Sequence, residues 1–212
     1  MSMNNFSKVS LSAGAAGILT ATTGAAGNEA VDELIAGIRN ASDKVRTEAW
    51  LNAGKAGAAA VRPLAAVMTD SDLEVARAAT RSLWQLARHA GRPGAVKEKQ
   101  AVETQLIGLL GDENPVSVRR EVLWMLSEIG GANSVKPVTG PMTNNELRED
   151  ARMVLERIPA KGAVAALKAG FEAAPEDFKP NIAQSLRKRG QEVAGYPSQR
   201  LVPKKKTDIK PL

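Results

Sequence analysis

Five segments of this chain carry apolar residues in one shared register, and that register limits the fold more than any other feature. In VRREVLWMLSEIGG (118–131), Val118, Val122, Met125, Leu126 and Ile129 stand at offsets 0, 4, 7, 8 and 11. At helical pitch these positions line one face. In LREDARMVLERIP (147–159), Leu147, Ala151, Val154, Leu155 and Ile158 take the same offsets. Further copies begin at Val45 (VRTEAWLNAGKAG), Val75 (VARAATRSLWQLA) and Phe178 (FKPNIAQSLRKRG). The starts are 30, 43, 29 and 31 residues apart, a period near 30 with one insertion. A register that returns at a fixed spacing marks a repeated unit.

The surrounding residues predict where each helix begins and ends. Asp43, Asp72, Asn114, Asn145 and the Pro175–Asp177 turn precede the starts, as helix-opening residues do. Offset 12 reads Gly57, Ala87, Gly130, Pro159 and Gly190, where the helices are expected to stop. A shorter apolar helix precedes each copy, built on Val31/Leu34/Ile38, Val61/Leu64/Val67, Val102/Leu106/Leu109, Val135/Val138/Met142 and Val164/Leu167. VRPL (61–64) and VKPV (135–138) place a proline in the expected first turn, where its missing N–H is harmless. Each unit is therefore helix–turn–helix. One such unit cannot bury its apolar face alone, so neighbours must stack. Aromatic residues make up only 3% of the chain, so the core must come from Ala, Leu, Val and Ile. That composition suits close-packed helices better than a β-sandwich.

These segments resemble the HEAT-like repeats of the short, phycobilisome-lyase type. That unit has an Asp, a Val-Arg pair, an Ala, a Leu and a closing Gly. Val45–Arg46 and Val118–Arg119 match the pair, and Leu147–Arg148 is a near match. The second copy departs from it with Ala76, and the fifth reads Phe178–Lys179. The likeness covers about residues 28–190. It implies an all-α, right-handed superhelical solenoid of about five HEAT-like repeats, an armadillo-type fold, with the second helices on the concave face. It also implies a non-catalytic scaffold that binds a protein or peptide there. An accessory role of the chromophore-lyase type is the alternative that the likeness carries.

If the stripe faces the core, other offsets must face outward. Offset 2 carries Arg77, Arg120 and Glu149, and offset 9 carries Trp84, Glu156 and Arg187. Offsets 5 and 6, toward the flanks, carry Trp50, Leu51, Arg81, Leu123, Trp124, Arg152 and Met153. Trp and Arg are enriched at binding hot spots. Arg77, Arg81, Trp84, Arg120, Trp124 and Arg152 are thus the candidate contacts for an extended or helical peptide with acidic and apolar residues. A second reading stands beside this one: Trp50, Leu123 and Trp84 are equally placed to seal one unit against the next. The arginine after each start can likewise pair with acidic or carbonyl groups of adjacent turns.

Charge and chemistry narrow the function classes. The net charge is +6, yet residues 28–190 carry only +2 of it, so the body is a poor nucleic-acid surface. The tail 191–212 carries +3, with Lys204, Lys205 and Lys206 in a run and three prolines. It is expected to be extended past Gly190. It serves either as a solubilising end or as the one place for nucleic acid or anionic lipid to bind. Residues 1–27 are small and apolar and read in two ways. One is a degenerate cap: counting one period back from Val45 reaches Ala15, with Leu19, Thr23, Ala26 and Gly27 following in register. The other is an export signal, with Lys8 as its basic region. The first reading predicts a cytoplasmic protein and the second an exported one. No apolar run is long enough to span a bilayer, and a monomer is expected.

The segment 88–102 holds the extra residues of the long interval, with Gly91, Pro93 and Gly94 as a turn. The single histidine, His89, lies there and is expected to be a solvated side chain. There is no cysteine, which excludes disulfides, thiol nucleophiles and cysteine zinc sites. One histidine also falls short of the several His–Glu pairs that HEAT-like iron hydroxylases use. Nucleophile-elbow, zinc-protease, phosphate-loop and dinucleotide motifs are absent. No catalytic group, metal or cofactor is therefore expected.

Overall fold

A computed structural model describes residues 28–197, and every described element is helical. The expectations for residues 1–27 and for Lys204–Lys206 lie outside the described residues. The chain forms two compact units that divide between Ile129 and Gly130.

The first unit contains α1 (28–38), α2 (Asp43–Asn52), α3 (Val61–Val67), α4 (Leu73–Ala90), α5 (Val96–Ile107) and α6 (Val116–Ile129). Short 3₁₀ segments at Ala53–Ala56 and Ala58–Ala60 join α2 to α3. Helices α3 and α4 pack as a pair, as do α5 and α6. The longer helices also lie side by side in the order α2, α4, α6, while α3 lies beside α5. The second unit contains α7 (Ala132–Thr139), a 3₁₀ turn (Pro141–Thr143), α8 (Arg148–Arg157), α9 (Gly162–Ala173) and α10 (Lys179–Lys188). It repeats the scheme: α7 with α8, α9 with α10, α7 beside α9, and α8 beside α10.

The stripe explains this packing. All five stripe positions of the copies at Val75, Val118 and Leu147 are buried. In the fifth copy Phe178, Ile182, Ser185 and Leu186 are buried, and Arg189 is half-buried. The offset-8 leucines Leu83, Leu126, Leu155 and Leu186 are each at most 2% exposed. Burying a leucine contributes about 1.5–3 kcal/mol, whereas an exposed ion pair contributes less than about 1 kcal/mol. The apolar register, not surface charge, therefore decides which faces meet. The first copy follows the rule only in part: Ala53 at offset 8 is buried, and Ala49 and Ala56 are half-buried. Val45 is 39% exposed, Asn52 is exposed, and α2 has no buried residue.

Helix ends differ from the sequence expectations in several places. Asp72 does cap α4: its carboxylate accepts from the backbone N–H of Glu74 and Val75. Asp43 is instead the first residue of α2 behind Ser42, whose side chain makes no capping bond. Asn40, Asp70 and Asn144 close small turns by accepting from the N–H two residues on. Ala87 does not stop its helix, because α4 runs on to Ala90. Alanine continues a helix readily, and Ala87 is buried. The long interval is thus absorbed by extra turns on α4 and α5 around a short bend, with Arg92 donating two 2.7 Å bonds to Glu98. Pro137 is inside α7, not in its first turn, because α7 begins at Ala132, directly after Gly131.

His89 sits in the last turn of α4 rather than in a loop. A side chain at Gly54 would bring its Cβ to 2.8 Å from the Cβ of His89, so glycine permits the close approach of the two segments. The chain does not leave the second unit at Gly190. Gly190 takes φ +74°, its N–H bonds to the Arg187 carbonyl, and the Gln191 N–H bonds to the Leu186 carbonyl. This paired closure is a Schellman turn. Arg187 then donates to the carbonyls of Val193 and Tyr196. The Tyr196 ring meets Phe171 edge-on at 5.3 Å, and its hydroxyl donates to Glu176 at 2.7 Å. Lys179 foremost, and then Tyr196, hold the Glu176 carboxyl below its ordinary value.

Candidate functional site

Helical spacing puts Arg77, Arg81, Trp84 and Arg88 along one side of α4. Arg77 is exposed and paired with Glu74 one turn back, at 2.6 Å. Arg81 is exposed, with its guanidinium 5.6 Å from the Trp50 ring centroid on α2. Trp84 is half-buried and committed on two sides. Its Nε1–H donates to Glu121 of α6 at 2.7 Å, and Arg88 covers its ring at 5.0 Å. Arg88 also approaches Glu128 of α6 at 4.0 Å. Trp50 and Trp84 are therefore seals between neighbouring long helices. Such a charge–ring contact contributes about 0.5–1 kcal/mol at an exposed site.

On α6 the sequence alternatives separate cleanly. Leu123 is fully buried, although it lies off the main stripe. Trp124, the next residue, is 45% exposed, and no other aromatic residue among those described is exposed. Arg120 is half-buried one turn before it. The Ser127 hydroxyl donates to the Trp124 carbonyl at 2.7 Å, which ties that turn of backbone. The first unit thus brings Arg77, Arg81, Arg120 and Trp124 to the surface of α4 and α6. It places Trp84 in the joint between those helices.

Arg152 belongs to the second unit, where it joins an ionic network between α8 and α10. It bonds to Glu149 at 2.7 Å, to Glu156 at 2.8 Å and to the Ser185 hydroxyl. Ser185 donates to Glu156 at 2.7 Å, Lys188 donates to the same carboxylate at 2.7 Å, and Asn181 donates to Glu149. The network borders a groove of about 670 Å³ whose lining also includes Met153 and Pro180. Burial of Glu156 works to raise its pKa, but the hydrogen bonds from Lys188 and Ser185 and the nearby positive charge outweigh it. The net shift is downward, so Glu156 is held as a carboxylate. A general acid requires the opposite shift. The Ser185 hydroxyl bridges the Arg152 guanidinium and the Glu156 carboxylate between α8 and α10.

Ser185, Asn181 and Lys188 were not among the sequence candidates. A signal for one of them exists: offset 7 reads Ser82 and Ser185, polar residues on an otherwise apolar stripe. Ser82 returns its hydrogen bond to the Ala78 carbonyl within its own helix, whereas Ser185 uses its hydroxyl between helices. The arginine after each start behaves as the pairing alternative requires. Arg46 bonds to Asp43 and to the Asn40 carbonyl, and Arg119 is buried against Asp112. Arg148 reaches across to Asp177 at 2.8 Å and lies over the Phe178 ring at 4.7 Å.

No family model matches the chain, and no curated protein matches it. Among the described residues no helix is long and apolar enough to cross a membrane. No cluster of three or more His, Asp or Glu side chains there is arranged to hold a metal ion.

Proposed function

We propose that this chain is a HEAT-like repeat protein whose stacked hairpins form a right-handed solenoid. Its role is that of a non-catalytic scaffold that binds a protein or peptide on the face of its long helices. The repeated side-by-side order of long and short helices within each unit supports the fold reading. Trp124 carries the functional one. A large aromatic side chain left 45% exposed on a helix surface is costly to solubility and useful to a partner. Arg77 and Arg81 lie on the neighbouring helix α4, so the reading names a ligand with an apolar anchor and carboxylates nearby. Trp84 is left out of the contact set because its ring and N–H are committed within the unit.

The test is quantitative pull-down with the full chain and with Trp124→Ala, with far-UV circular dichroism to match the folds. An anchoring tryptophan contributes at least about 2 kcal/mol, or roughly 30-fold in affinity. Proteins recovered on the unaltered chain are expected to fall to background on the variant. Equal recovery of the same proteins by both would overturn the proposal.

A further inference from the structure

We propose that the groove between α8 and α10 binds an extended peptide segment with a basic, an apolar and an acidic residue at alternate positions. The groove lies wholly within the second unit, so this site is separate from the one at Trp124. Its volume of about 670 Å³ falls within the span of ligand sites, about 300–1,000 Å³. Hydrogen bonds join Glu149 to Asn181, Arg152 to Ser185 and Glu156 to Lys188, in the same order along both helices. The two helices therefore run parallel, and the lining falls into three rungs. Glu149 and Pro180 stand at offset 2, Met153 and Gln184 at offset 6, and Arg157 and Lys188 at offset 10.

Each rung has its own chemistry. Glu149 makes the first rung acidic. Met153 gives the middle rung an adaptable apolar surface. The exposed Gln184 amide beside it makes no hydrogen bond to another described residue, so it is available to a peptide N–H or C=O. Arg157 and Lys188 make the third rung basic. Lys188 is 60% exposed and gives one of its three ammonium donors to Glu156. Positions four residues apart on a helix are about 6 Å apart along its axis. An extended peptide advances about 6.6 Å in two residues and presents alternate side chains on one face. Residues i, i+2 and i+4 of such a peptide therefore meet the three rungs in turn, the base at Glu149 and the acid at Lys188. The carboxylates of Glu149 and Glu156 line the same groove and repel a polyphosphate chain, so nucleic acid fits it poorly. The ionic network holds both helices before a ligand arrives, which reduces the ordering that binding requires.

The probe is the capped peptide acetyl-Lys-Gly-Leu-Gly-Glu-amide, compared with the form that ends in Gln. Each is titrated into the full isotope-labelled chain, and the backbone amide shifts of Met153 and Gln184 are followed. Both amides are expected to move, and the Glu form is expected to bind about threefold more tightly, as an exposed ion pair allows. Lys188→Met is expected to shrink that ratio while the Gln form keeps its affinity. The shifts are read in the second unit alone, so failure here leaves the Trp124 reading standing. Unmoved Met153 and Gln184 amides, or equal affinity for the two peptides, overturn the proposal. So does equal weakening of both peptides by Lys188→Met, because Lys188 would then only hold the helices together. Shifts that sodium acetate alone reproduces would mark a small-anion site and overturn it as well.

Discussion

Trp84 and Trp124 sit on adjacent helices and contribute to different properties. Trp84 is half-buried, hydrogen-bonded to Glu121 and covered by Arg88, so Trp84→Ala opens the joint between α4 and α6. We expect a loss of about 2 kcal/mol, below the range for a fully buried tryptophan. Trp124→Ala is expected to cost less than about 1 kcal/mol. Urea denaturation followed by circular dichroism distinguishes the two. Both tryptophans read as off-stripe in the sequence because an offset reports an angle around one helix. It does not report which neighbouring helix stands at that angle, and Glu121 is the neighbour that decides for Trp84. Glu156 gives a second prediction at this scale. Its pKa is lowered in the folded protein, so the folded state holds that proton less readily than the unfolded chain does. Its contribution is complete above the unfolded value, about 4.3, and is lost as pH falls through the lowered folded value. Glu156→Gln is therefore expected to flatten the acid limb of a plot of urea midpoint against pH. A limb of unchanged steepness would show that the network contributes nothing to acid stability.

Individual helices show which kinds of information a sequence holds locally. The buried stripes of α4, α6, α8 and α10 were legible because burial of one face imposes the helical period on residue choice. The cap of α4 was legible too, since Asp72 lies just before a periodic run and satisfies two N–H groups. Asp72→Ala is expected to lower stability by about 1 kcal/mol, again read from urea unfolding. Other helix ends were not legible. Ala87 occupies a stop position yet lies inside α4, because nothing about alanine ends a helix and its methyl is buried. Pro137 looked like a first-turn proline, but the short α7 begins earlier, after Gly131. The turn past Gly190 was read as a departure point. Its positive φ instead turns the chain back, so that Tyr196 packs on Phe171. That return depends on contacts between residues far apart in sequence, which periodicity does not encode.

At the scale of the molecule, the same side-by-side order of long and short helices is found in each of the two units. That order gives the repeated register a physical purpose. Within a unit, one side of a long helix such as α4 or α8 faces its short partner, one side faces a neighbouring long helix, and one row remains outside. The all-helical class followed from the register directly. The outward row was distinguishable only after the half-buried Trp50, Trp84 and Arg152 had been separated from it. The account therefore stands on a partition of the long helices into buried and outward positions. Single-cysteine labelling tests that partition most directly. Arg81→Cys, Trp124→Cys and Gln184→Cys lie at offset 6, while Ala79, Ala151 and Ala183 are fully buried. The account predicts native-state alkylation at offset 6 close to the rate of a free thiol. It predicts rates at least about a hundred-fold slower for Ala79→Cys, Ala151→Cys and Ala183→Cys, where reaction needs local opening. Equal rates in the two sets, with helicity retained, would contradict it.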